Sequence, residues 1–139
     1  MIDDFKTAKA LLDKAQTFAD YNSIRLCIDG LAFTPETDET YLKEALLQNE
    51  TEILTLDAYS CDRQQSIYQL SVYTPKGNGK FANLELVNEI KKEFRTAAFV
   101  VYDNQTVQIM NVSASPLLTT DSHNITAVSI NIVVLTTSA

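Results

Sequence analysis

The sequence predicts one α+β domain, a mostly antiparallel or mixed sheet with two helices packed on it. Two stretches, 3–20 and 81–95, place apolar residues at helical spacing. The segments between and after them alternate with a period of two. The strands come in runs instead of alternating with helices, which excludes a doubly wound parallel fold. The order read is α-β-β-β-β-β-α-β-β-β, one domain over residues 1–139, with neither repeat nor boundary.

The first helix puts Phe5, Ala8, Leu11, Leu12, Ala15 and Phe18 on one stripe, with Asp3 and Asp4 where a helix N-terminus favours negative charge. A strand follows over 23–28, in which Ile24, Leu26 and Ile28 alternate with Arg25 and Cys27. Asp29-Gly30 is a turn signal, and 31–33 is expected to continue as a short pairing strand. Residues 34–40 (TPETDET) read as an acidic, mobile loop. Strands are expected at 41–47 and 53–56, and a strong one at 66–73 turns Tyr68, Leu70 and Val72 one way and Gln69, Ser71 and Tyr73 the other. Residues 75–80 (PKGNGK) break it. The second helix carries Leu84, Val87, Ile90 and Phe94. Strands at 99–102, 107–112 and 126–136 complete the chain around a polar loop at 117–124, with Val128, Ile130, Ile132 and Val134 on one face.

With 139 residues, 45% hydrophobic, a mean hydropathy of −0.07, three Gly and three Pro, the chain is ordinary globular material. It is long enough for one core burying roughly two thirds of the unfolded surface. No secretory signal is expected at the charged N-terminus, and no run approaches a membrane span. Cys27 and Cys61, far apart and outside any CxxC, read as free thiols. The Asn-x-Ser/Thr triplets at Asn49, Asn104, Asn111 and Asn124 read as chance products of a Thr- and Asn-rich chain.

Net charge is −7; residues 23–62 carry −7 of it and residues 63–95 carry +3. That balance argues against gripping nucleic acid, because phosphate contacts need clustered Lys and Arg. It leaves open a surface that DNA slides past.

No catalytic constellation is recognisable. Gly77-Asn78-Gly79-Lys80 falls between a strand and a helix, but a phosphate loop needs GxxxxGK followed by Ser or Thr, and Phe81 stands there. A GxGxxG pattern fails at Ala82. A turn and helix start is the reading. His123 is the single histidine, in a polar loop beside Asp121. A Cys61–His123 nucleophile pair has no local support, since no strained elbow surrounds Cys61. The carboxylates of 36–39 lack the calcium-loop pattern. No metal or cofactor is expected.

Three stretches, taken together, resemble a known family: 41–50 (YLKEALLQNE), 67–79 (IYQLSVYTPKGNG) leading into the second helix, and 127–132 (AVSINI). In this order, after an N-terminal helix, they are similar to the tail-terminator-like proteins of long-tailed bacteriophages and prophages, over nearly the whole chain. The resemblance implies a structural virion protein, made in the host cytoplasm and placed in the virion tail. It would cap the tail tube as a ring, usually of six copies, and present a face to the head connector protein. Its partners would be itself, the tail tube protein and the head connector, with DNA passing through unbound. No enzyme activity and no cofactor are implied. Under that resemblance Glu36, Asp38, Glu39, Glu50 and Glu52 are the candidates for a subunit contact or an acidic lumen. The alternatives are another head–tail joining or tail tube component, or a small ligand-binding α+β domain.

Overall fold

The computed structural model describes residues 3–48, 52–53, 61–95, 99–103 and 105–137. Helix α1 spans Asp4–Tyr21, and Asp3 caps it by accepting the Phe5 and Lys6 N–H groups. It ends as the Ile24 N–H reaches the Ala19 carbonyl, 2.9 Å away, with Ser23 in the left-handed region. The strands follow as β1 Arg25–Cys27, β2 Tyr41–Gln48, β3 Glu52–Ile53 and β4 Cys61–Pro75. A 3-10 turn at Lys76–Asn78 then leads into α2, Gly79–Glu93. Strands β5 Phe99–Tyr102, β6 Gln105–Ala114, β7 Leu118–Thr119 and β8 His123–Thr137 complete the chain.

The described strands form one mixed sheet in the order β1-β2-β4-β8-β6-β5, with β3 on β4 and β7 on β8. Only β1 and β2 pair in parallel; the other pairs are antiparallel. The spine is the β4–β8 ladder, registered from Cys61↔Thr137 to Pro75↔His123. Alternation along it is strict, so Tyr68, Leu70 and Val72 share a buried face with Val128, Ile130, Ile132 and Val134. Leu42 of β2 and Val107 and Ile109 of β6 extend that face. A bulge between Ile109 and Asn111 adds one residue and reverses the alternation, so that Val112 and Ala114 also join the core.

Both helices cover this face, and the α+β class expected from the sequence is the one observed. The sheet curls. Helix α1 touches β5 and β6 at one edge and β1 and β2 at the other. Phe5 meets Tyr102 of β5 edge-on, with ring centres 6.2 Å apart, while lining the same recess as Leu46 of β2. Helix α2 lies over β4 and β8.

Several expectations are corrected. Residues 31–33 form no strand: Gly30 turns the chain at φ +86°, and β1 pairs with β2 instead. Phe33 packs on Tyr41, ring centres 5.1 Å apart, where a strand would have placed it in a ladder. Phe5 is 67% exposed, and Thr7 takes a buried place on α1 because Gln105 satisfies its hydroxyl at 2.6 Å. Leu84 is partly exposed, whereas Asn83 is fully buried. Strands β4, β6 and β8 outrun the expected spans because their ladders continue through polar rungs. In the 53–56 segment only Ile53, in β3, lies within the described residues.

Candidate assembly surface

Among the described residues, no helix packs on the sheet face away from α1 and α2. The middle strands of that face place Gln65, Ile67, Gln69, Ser71 and Tyr73 of β4 beside His123, Ile125, Ala127, Ser129 and Asn131 of β8, while Val133 at that end is buried. Lys43 of β2 and Ser113 of β6 flank them, and Asn131 Nδ2 donates to Asn111 Oδ1 across the bulge at 2.5 Å. Among the described side chains of this face, Arg25 and Lys43 are the formal charges, and Arg25 is neutralised by Glu39. The chain as a whole has 18 acidic and 11 basic residues, so an open face carrying one unpaired charge stands apart from the rest of the surface. Large apolar groups lie exposed on it, with Phe99 at 62%, Val101 at 61% and Leu47 at 53%. Scattered exposed apolar residues are ordinary, but a sheet face with a charge-free centre makes this the candidate assembly surface.

One corner of the face is rigid. Tyr41 and Tyr73 stack with ring centres 4.5 Å apart, and His123 stands edge-on to both. His123 Nε2 donates to the Glu39 carbonyl at 3.1 Å, and a carbonyl can only accept, so Nε2 carries the hydrogen. Nδ1 then accepts from the Ser122 hydroxyl, 2.9 Å away. The Arg25 guanidinium forks onto the Glu39 carboxylate at 2.6 and 2.7 Å and donates to the Thr34 carbonyl at 2.8 Å. It also lies over the Phe33 ring, 4.5 Å from its centre. The Arg25 hydrogen bonds, with the Glu36 N–H, hold the Glu39 carboxyl down at about 2.

Of the acidic residues named from the sequence, Glu39 is therefore an anchor. The 34–40 segment is tied to β1 through it. Glu36 and Asp38 are exposed at the same corner. Glu50 and the Glu52 side chain lie outside what the structure describes.

The Cys61–His123 pair is impossible. Cys61 opens β4 and His123 lies opposite Pro75 at its far end, fourteen residues along, on the order of 40 Å. Both His123 nitrogens are in any case engaged. Cys27 sits opposite Lys43, level with Ser71, ten residues from Cys61 along the same strand. That spacing is about 30 Å, so no disulfide can join them. The Gly77-Asn78-Gly79-Lys80 segment ends the 3-10 turn and opens α2, with Gly79 at φ +76°. Among the described residues no three His, Cys, Asp or Glu side chains gather as a metal site, and no helix is long and apolar enough to cross a membrane.

No curated protein matches the sequence. One solved structure superposes with a TM-score of 0.79 over 96% of this chain and 96% of its own, at 16% identity. At that identity the likeness shows the fold alone. The sequence pattern is more specific: the description "phage tail terminator protein" belongs to a family whose pattern matches residues 6–132. The curled sheet with its two helices thus has a family, and the chain belongs to the phage tail terminator proteins, structural components of phage tails.

Proposed function

We propose that the chain closes the end of a phage tail tube as a ring of copies and offers the opposite side of that ring to the head connector. The observation that carries this reading is the sheet face away from the helices, on which Lys43 is the one unpaired charge among the described side chains. Copies that each carry −7 repel one another, and the contact that costs least places charge-free surfaces together. The Tyr41–Tyr73–His123 corner and the Glu39 anchor keep that face in one shape before any partner arrives, which lowers the ordering cost of assembly.

Within this reading Glu36 and Asp38 belong to an acidic rim that DNA passes without sticking, and Glu50 and Glu52 remain candidates for it from the sequence. Glu39 contributes less to the rim because Arg25 neutralises it. Assembly and infectivity unchanged after neutralising the other four would remove the rim from the proposal.

Negative-stain images of particles from a phage lacking this gene test the main reading. Overlong tubes without heads are expected. Tubes of normal length, joined to heads, would refute it.

A further inference from the structure

Between the first half of α1 and the β1–β2 edge lies a recess of about 280 Å3. Its walls are apolar, formed by Phe5, Leu12, Ile28 and Leu46, and the Glu44 carboxylate lines it. Glu44 is only 7% exposed. Its Oε1 accepts the Asp29 N–H at 2.9 Å, and among the described residues no cation pairs with it. Lys9 also borders the recess, but its ammonium is engaged by Asp13 at 3.1 Å. The buried Tyr68 hydroxyl sits beside the Glu44 carboxylate. Burial first, and then the Glu44 charge, push Tyr68 far above the ordinary phenol range.

A carboxylate taken out of water without a cation is unfavourable, and apolar walls around it leave a socket shaped for an alkyl stem ending in positive charge. The volume falls just under the roughly 300–1,000 Å3 of small-molecule sites, which suits one protein side chain better than a free ligand. The chain itself carries the complement. Lys80 Nζ lies over the Phe81 ring, 5.3 Å from its centre, and Phe81 is 71% exposed. This cationic, aromatic knob opens α2 within the basic stretch 63–95, whereas the recess is lined in part from the acidic stretch 23–62. Knob and socket occupy different elements, which is the requirement of a head-to-tail contact that can close into a ring.

We propose that the Glu44 recess receives Lys80, with Phe81 against its rim, from a second copy of the chain. The proposal rests on the ring reading and adds the contact that orders the copies. The test mixes a tagged Lys9→Cys chain with an untagged Asn78→Cys chain, Asn78 being exposed two residues before Lys80 and making no capping hydrogen bond, both in a Cys27→Ser, Cys61→Ser background, with tail tubes and a short bismaleimide linker. A mixed cross-linked dimer is expected, formed only under assembling conditions. A Glu44→Gln chain, which keeps the acceptor for Asp29, is expected to melt as the wild type does and to need about tenfold more protein for half-assembly. Rings that form without the mixed product, or Glu44→Gln rings assembling at wild-type concentration, would overturn the socket while leaving the ring intact. A chain that stays monomeric by mass even with tubes present would overturn both.

Discussion

Asn83 and Thr126 bind each other in the buried seam between α2 and the sheet, the Thr126 hydroxyl donating to Asn83 Oδ1 at 2.5 Å. Asn83 Nδ2 faces the Val72 and Asn124 carbonyls at 3.1 and 3.0 Å and the Thr74 hydroxyl at 3.2 Å. One amide thereby fixes the register of α2 over both central strands. Asn83→Ala strands several buried groups at once and is expected to destabilise the fold by about 2–3 kcal/mol, read by denaturant unfolding. Thr126→Val should lose about 1–2 kcal/mol. If the double variant loses the sum of the two, the pair is not coupled and this account of the seam fails.

That seam was not legible in the sequence. A polar residue inside an amphipathic helix reads as solvent-facing, and only the fold reveals that Asn83 lies over a Thr-rich patch of sheet. Strands β4 and β8 were legible because their alternation persists over many rungs and only one face can be buried. Residues 31–33 misled because a turn signal followed by apolar residues has no partner written into it; the parallel pairing with β2 is a tertiary choice. The Arg25–Glu39 fork links residues fourteen apart through a loop, beyond any local rule. The bare face was partly legible, since positions 65, 67, 69, 71 and 73 and positions 123 to 133 in steps of two hold no Asp, Glu, Lys or Arg.

The Arg25–Glu39 fork has a pH signature. Glu39 titrates near 2 in the folded chain, below its ordinary 4.5. The stabilisation it brings is complete above about 4.5 and is lost as pH falls through 2. Both side chains are solvent-screened, so the consequence is local order at 34–40 more than global stability. Carboxyl NMR titration should give a midpoint near 2 for Glu39, and Arg25→Gln should return it towards 4.5. A Glu39 midpoint unchanged by Arg25→Gln would show that the fork does not hold it.

Gln105 locks the start of α1 onto the β5–β6 hairpin. The Asp3 N–H donates to Gln105 Oε1 at 2.9 Å, while Gln105 Nε2 donates to the Asp3 carbonyl at 2.9 Å and the Thr7 hydroxyl at 2.6 Å. Lys6 and Asp103 reinforce the junction at 3.3 Å. Gln105→Ala should lower stability by about 1–3 kcal/mol and speed amide exchange in the first turn of α1, leaving α2 protected. Uniform exchange changes across both helices would point to global destabilisation instead of an unlocked end.

The bare sheet face makes the sharpest demand on the proposed function. Gln65 and Ser113 are exposed on it and touch nothing that the core needs. Gln65→Glu and Ser113→Glu should therefore change monomer stability by about 0.5 kcal/mol or less. Placed in a contact between charge-free surfaces, each new carboxylate loses its water with no cation opposite it, which costs several kcal/mol. The expected result is a folded monomer that no longer caps tubes, with tube lengths in electron micrographs spreading upward. Asn88→Glu, on the exposed side of α2, adds the same charge away from that face and should leave capping intact. Capping by the Gln65 and Ser113 variants equal to that of Asn88→Glu would mean that the sheet face is not where the copies or the tube meet.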